Sequence, residues 1–521
     1  MKKRVVAAAV AACMLAGMCS GCGKKNDAGN ADYKFNETGW PIVDEKITLT
    51  VMGNTNGAMP EDWNDLLLFK ELEKKSNIHL NFKTVGNGYE NQKNLAFASG
   101  ELPDFFYKGL ISANDELTYG EAGVLVDLVP YLKYAPNIQK AFDEVEGARA
   151  GVTMDSGKIV SLPEINEVQR DRAIKMWING EWLNKLGLKE PETADEWYNV
   201  LKAFKTKDPN GNGQADEIPL SFGNLDSLYH MFSAFGLLLH TYVEDGRFMY
   251  SPADERMKDG LKFFRKLYAE GILDNQCFTQ DGEKLNSKVG NKTPLVGCFT
   301  GMSANAADKE HVKDYIMMSP LKTADGKRIW KGREMFGKGA FAMTNKNKYP
   351  EATIRLIDYL YSEEGGILSR LGIKDYTYEV KEDGSWDYIV PEGWDDSKGM
   401  ENLIGTVAGA FSPMRQPAEM IEKASYIVEN PDALDNQMKK KLAPYLVVPV
   451  PSLYFELAEQ KKINTLYTDL ASCSERFIAR TITGEIDVDA EWDNYINDLK
   501  KIGLDEYEQI YQKKYDEYIK K

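Results

Sequence analysis

Apolar and polar residues alternate at Ile47, Leu49 and Val51, and again at Ile78, Leu80 and Phe82. A period of two predicts half-buried strands. Between them, a loop rich in Gly and Asn (Gly53 to Pro60) precedes a helical stretch bearing Leu68 and Leu72. A helix around Gln92 to Ser99 follows, and Gly100-Glu101-Leu102-Pro103 breaks it before the apolar Phe105-Phe106-Tyr107. Strand, helix, strand, helix, strand at these lengths predicts an α/β fold on a mainly parallel sheet with helices on both faces. Ligands of such sheets collect at the carboxyl ends of the strands. The loops at 52–60, 86–92 and 108–114 are therefore expected to share one rim.

The pattern recurs downstream. Met257, Leu261, Phe264 and Tyr268 step by three or four and end at Gly271, which predicts a helix and its cap. Leu295–Phe299, Tyr315–Met318 and Ala340–Met343 are short buried-strand candidates. Pro350 opens a helix carrying Ile354, Ile357 and Tyr361, and from about residue 455 the chain is mostly helical. No repeat of solenoid period is present.

The start of the chain has a different character. Lys2, Lys3 and Arg4 precede an apolar run from Val5 to Met18, too short to span a bilayer, which marks a signal peptide over 1–21. Met18-Cys19-Ser20-Gly21-Cys22 resembles a bacterial lipobox, with Cys22 as the residue that takes the acyl (palmitate-type) chains. Residues 22–40 are then a lipidated, flexible tether holding the protein on the outer face of the cell membrane. Release after ordinary secretion is the alternative.

Composition narrows the chemistry. With 80 acidic against 64 basic residues the formal charge is −16, so a nucleic-acid partner is not expected. Cys277, Cys298 and Cys473 form no C-x-x-C pair and are expected as buried thiols. Gly332 to Lys338 matches a phosphate-binding loop until Gly339, which stands where Ser or Thr would hold Mg²⁺. A strand pattern follows instead of a helix. G-x-S-x-G and H-E-x-x-H are both missing, and no two of the four histidines are at ligand spacing on a helix. A pair of glycosidase carboxylates is not excluded by counting. The sharpest local motif is Asp208-Pro-Asn210-Gly-Asn212-Gly-Gln214-Ala-Asp216-Glu217. It sets oxygen side chains at positions 1, 3, 5, 9 and 10 of a loop, Gly213 at the turn and the Gln214 carbonyl at position 7. A structural Ca²⁺ site is expected there. Position 12 is Pro219, so the usual bidentate Glu is missing and Glu217 is the substitute. A solvated Asn/Gly turn is the simpler reading.

Several segments carry a family resemblance. They are Ala98-Ser99-Gly100-Glu101-Leu102-Pro103-Asp104, Gly157-Lys158-Ile159-Val160-Ser161-Leu162-Pro163 and Trp182-Leu183-Asn184-Lys185-Leu186-Gly187-Leu188. Thr193 to Trp197, Lys338 to Ala342 and the acidic-aromatic helices after Trp492 extend them. In this order and spacing the chain resembles the extracellular solute-binding lipoproteins of bacterial ABC importers, of the oligosaccharide type. One departure is Asn179-Gly180-Glu181, where the family usually shows a basic run. The resemblance implies a two-lobe periplasmic-binding-protein-like fold (type II) with a ligand cleft between the lobes. The first lobe would hold 41–163 and a return at 321–370. The second would hold 164–320 and the mostly helical 371–521. It implies a monomer that captures an oligosaccharide, closes, and docks on ABC permease subunits without doing chemistry.

Sugar rings need aromatic faces, and their hydroxyls need polar side chains. On that basis the expected ligand contacts of the first lobe are Asn54, Asn56, Trp63, Tyr89, Asn91, Gln92 and Lys108, with Glu164 after the first crossing. Trp177, Tyr229, Thr300 and Met302 come from the second lobe, and Trp330, Trp386, Trp394 and Arg415 from irregular segments. Trp182 and Trp197 are assigned to the core. Two other readings stay open: a surface-anchored carbohydrate-active enzyme on the same scaffold, and a binder of peptides or another non-sugar solute.

Overall fold

The computed structural model describes residues 33–55, 62–238, 240–390 and 412–520. The signal peptide, Cys22 and most of the tether lie outside the described residues, as do Asn56 and Trp394. In chain order the described strands begin with β1 (Ile47–Asn54), β2 (Ile78–Val85), β3 (Phe105–Tyr107), β4 (Leu162–Asn166) and β5 (Lys175–Asn179). There follow β6 (Ile218–Leu220), β7 (Thr241–Glu244), β8 (Arg247–Tyr250), β9 (Val296–Gly301), β10 (Tyr315–Met317) and β11 (Trp330–Lys331). The last are β12 (Phe336–Met343), β13 (Tyr378–Val380), β14 (Trp386–Tyr388), β15 (Arg415–Gln416) and β16 (Leu446–Val447).

Two sheets make a two-lobe α/β protein. The first has the order β15-β4-β12-β3-β1-β2 and the second β10-β5-β9-β6. Strand β1 is parallel to β2 and β3, whereas β12 runs antiparallel to β3 and β4. In the second sheet β5 is antiparallel to β9 and β10, and β6 is parallel to β9. Five of the six strands of the first sheet and three of the four of the second therefore run one way, as expected of mainly parallel sheets, and each sheet has one antiparallel strand, β12 and β5. The chain path explains it: β12 returns from the other lobe and enters the first sheet from the end opposite to β1 and β3.

Each lobe has its own core. Ile47, Leu49 and Val51 of β1 pack with Ile78, Leu80 and Phe82 of β2 and with Ile354 and Ile357 of the helix Pro350–Leu360. In the second lobe, Trp182 and Trp197 are buried as assigned, together with Met257, Leu261 and Phe264 on one face of the helix Met257–Ala269. Cys277, Cys298 and Cys473 are buried free thiols. Among the described residues no helix is long and apolar enough to cross a membrane. The C-terminal helices Leu457–Thr483, Val488–Ile502 and Leu504–Tyr518 pack on the second core.

Three crossings join the lobes and bond to one another. Asn166 N donates to Met335 O at 2.8 Å and Arg333 N to Arg172 O at 2.7 Å. On the other side of β4, Ile165 N donates to Met414 O at 2.9 Å and Glu167 N to Gln416 O at 3.0 Å. Leu321 and Trp330 still pack in the second core, so the chain regains the first sheet only at Phe336. Met414 and β15 touch the first lobe from within the C-terminal stretch.

The segment that mimics a phosphate loop is part of this return. Gly337 and Lys338 lie in β12, whose register shifts between Gly337 and Phe341. Gly339 sits in that irregularity with φ 73°, and a Cβ there would stand 2.2 Å from Ile111 O. Its glycine answers a backbone constraint, as at other bulges. Gly339→Ala is expected to lower stability by about 1–3 kcal/mol, read as a reduced urea midpoint at unchanged m-value. An unaltered midpoint contradicts this account of the bulge.

Candidate functional site

The expected rim of the first lobe forms. Thr55 N donates to Val85 O at 3.0 Å, joining the loops after β1 and β2. Tyr89 OH donates to Gly109 O at 3.0 Å, and the buried Lys93 ammonium bonds Leu110 O at 2.7 Å and Asp115 at 2.9 Å. Lys108 holds φ 51° at the end of β3. Burial pulls its ammonium down to about 8, with Glu164 opposing the fall.

A cavity of about 350 Å³ lies beside the crossings, on the second lobe's side. The helix Leu225–Met231 supplies Asp226, Tyr229 and His230, at spacings of three and four that put them on one face. Lys331 ends β11 and Arg333 follows it before β12, His240 immediately precedes β7, and Tyr467 comes from the long helix Leu457–Thr483. His240 Nε2 donates to Asp226 Oδ1 at 3.1 Å, and that bond leads the causes holding the Asp226 carboxyl below its usual range. The His240 ring meets Tyr229 and Tyr467 edge-on, with centroids at 4.5 and 5.8 Å. Burial, with Lys331 adding to it, pushes His230 down to about 4. Among the described residues Tyr229 OH, His230 Nδ1 and His240 Nδ1 are buried without a hydrogen-bond partner. A second cavity shares His240, Lys331 and Tyr467 and adds Tyr507 and Tyr511. Sharing these three residues, the two cavities line neighbouring surfaces with aromatic rings and polar groups, a lining suited to hydroxyl-bearing rings.

Of the residues expected from sequence, Tyr229 lies in this wall. The tryptophans lie deeper. Trp177, Trp330 and Trp386 are buried, and each indole N–H donates to a backbone carbonyl, of Gly301, Ile174 and Met420 respectively. Trp330 backs the cavity by stacking on His230 at 5.7 Å. Trp63 is fully buried under Gly53, beside Phe69, Phe82 and Tyr107. Asn54, Tyr89, Lys108, Glu164 and Thr300 are buried, while Asn91, Gln92 and Met302 are exposed. Arg415 is held in ion pairs with Glu144 at 2.6 Å and Glu167 at 2.8 Å, which bind the third crossing to the first lobe. Asp226, His230, His240, Lys331, Arg333 and Tyr467 were missed. The Asp226/Tyr229/His230 spacing, and two cations alternating after Trp330, were the available signals.

The Asp/Asn loop closes between the helix Ala194–Thr206 and β6. Asp208 accepts the backbone N–H groups of Gly211, Asn212 and Gly213, and Asn210 and Asn212 donate their side-chain amides to Asp216. Glu217 Oε1 is buried with no hydrogen-bond partner among the described residues. Burial, then Asp208 and Asp216, raise its carboxyl. Carboxylate and amide oxygens around a buried acid fit a hard cation. No group of three or more His, Cys, Asp and Glu side chains among the described residues is arranged to hold a metal, so Asn and backbone oxygens would complete the shell.

The sequence model of the bacterial extracellular solute-binding proteins matches residues 58–367. The chain belongs to this family. It is 31% identical to the fructooligosaccharide ABC transporter substrate-binding protein FusA of Streptococcus pneumoniae, over 95% of each chain. It is 28% identical to the lipoprotein LipO of Bacillus subtilis over 97% of each. Solved structures of FusA in complex with kestose, and of its EF-hand mutant in complex with fructo-nystose, superpose with a TM-score of 0.75 at 27% identity. They cover 91% of this chain and 99% of theirs. The two-lobe solute-binding fold follows.

The buried His230 makes this wall sensitive to pH. Its folded value near 4 lies below the ordinary 6.5, so between those values the unfolded chain binds more protons and stability falls as pH falls. Acidification through that window is expected to cost on the order of 2 kcal/mol through this group, and His230→Gln should flatten that part of the profile. Denaturant titrations at about pH 7, 5.5 and 4 read it; an equally steep loss in the variant refutes the assignment.

Proposed function

We propose that this solute-binding protein captures an oligosaccharide between its lobes and delivers it to the permease of an ABC importer. The lining beside the crossings carries the reading: it presents Tyr229, Tyr467, Tyr507 and Tyr511 with buried polar groups that have no partner among the described residues, next to the segments about which lobes would rotate. FusA, by its name and its kestose complex, binds sugars of this kind. The division we propose gives 41–163 and the return carrying β12 to the first lobe. Residues from the end of β4 to 320, and the helical part of 371–521, belong to the second. Anchoring through acylated Cys22 outside the cytoplasm is supported by the lipobox-like sequence and by the lipoprotein relative LipO. The protein acts as a monomeric binder with no reaction of its own.

Calorimetry against di- to hexasaccharides and a peptide panel tests the assignment. We expect saturable one-to-one binding of a sugar, weakened about tenfold or more by Tyr467→Ala or Asp226→Ala. Sugar hydrolysis instead of binding supports the carbohydrate-active enzyme, and peptide binding alone supports the non-sugar solute.

We further propose that the loop at 208–217 holds a structural Ca²⁺ through Asp208, Asn210, Asn212, Gln214, Asp216 and Glu217. The raised, buried Glu217 and the EF-hand mutant made of FusA support it. Bound only by the folded state, Ca²⁺ stabilises by mass action. Millimolar Ca²⁺ is expected to raise the melting temperature over EDTA by several degrees, and Asp216→Ala to abolish the difference. Superimposable melting curves with and without Ca²⁺ leave a plain turn.

A further inference from the structure

Resting on the sugar-binding reading, we propose that the cavity beside the crossings takes an oligosaccharide bearing a carboxylate, a uronic-acid unit held by Lys331 and Arg333. In a chain of net charge −16, this wall has an excess of cations. Its one acid is Asp226, already engaged by His240 Nε2 at 3.1 Å. Lys331 and Arg333 alternate along one extended segment, so both side chains leave it on the same side. Gly332 between them is pinned by its N–H to Val447 O at 2.8 Å. Among the described residues the Lys331 ammonium makes no ion pair or hydrogen bond, and Arg333 bonds only through its backbone, to Arg172.

The chemistry of these donors selects a class of ligand. Lys and Arg donate and never accept. A sugar hydroxyl does both, and His240 and Tyr229 suffice for it. A carboxylate only accepts, and it forms its strongest bonds with such cations. Burial lowers Lys331, with Asp226 opposing and Arg333 adding to the fall, and an anion seated between the two cations offsets that cost. The adjoining cavity shares Lys331 and, with Tyr507 and Tyr511, offers aromatic surface for the following rings.

Calorimetry with trimers of galacturonate, glucuronate and mannuronate, each beside its methyl ester, tests this. The ester keeps the ring and removes the charge. At least one acid form is expected to bind about tenfold or more tighter than its ester. The gap should narrow at about 0.5 M salt and close in both Lys331→Met and Lys331→Gln, with melting temperatures confirming that the variants fold. Neutral oligosaccharides bound with no acid form preferred to its ester overturns the inference and leaves the sugar-binding reading standing. No binding of any sugar, neutral or acidic, overturns both.

Discussion

The backbone pairing among the three crossings is the constraint on which the remaining structure depends. Arg333 bonds Arg172, Asn166 bonds Met335, and the residues around β15 bond the other edge of β4. Paired strands resist sliding, because a shift of one residue would exchange every inward side chain for an outward one. This fixes the register of β12 against β4, and with it the placement of Lys331 and Arg333 a few residues earlier. It also leaves the lobes few residues in which to absorb a rotation. The cavity adjoins those residues, so a rotation about them would change its walls.

A second link across the lobes is a buried polar group. Tyr454, on the strap between β16 and the helix Leu457–Thr483, packs in a first-lobe cluster with Met52, Phe106 and Val160. Its hydroxyl donates to Glu116 at 2.6 Å, Ser161 donates to the same carboxylate, and the Lys338 ammonium lies 3.8 Å over the Tyr454 ring. Burial raises the Glu116 carboxyl despite Lys338 and these bonds. Such a group is costly if a partner is removed and near neutral if all are kept. It therefore specifies where the strap sits more than it stabilises the fold.

Much of this architecture was legible from sequence, and the reasons differ by element. The alternation in β1 and β2 and the stripe of Met257, Leu261 and Phe264 could be read because one face of each element is buried. The mainly parallel direction could be read too, but not the reversal of β12 and β5, because it depends on which lobe the chain has just left, and no local pattern records that. The rim around Tyr89, Gly109 and Leu110 followed from the strand-end rule. The cavity wall did not, since Asp226, His240, Lys331 and Tyr467 are far apart in the chain and only tertiary packing brings them together.

The aromatic residues show why the ligand contacts were the hardest to anticipate. A sugar site calls for rings, and tryptophan offers the largest face, so the tryptophans were natural candidates. Yet an indole has a single donor, and in Trp177, Trp330 and Trp386 a backbone carbonyl takes it. Once that bond is made the ring is wholly apolar to its surroundings and gains most by full burial. Tyrosine differs because its hydroxyl both donates and accepts, so a ring half-covered by neighbours can still turn a polar edge to a ligand. Tyr467 and Tyr511 lie at partly buried positions in this lining, with Tyr229 and Tyr507 behind them. The face that sugars would meet is therefore built from tyrosines on helices, with tryptophan as its backing.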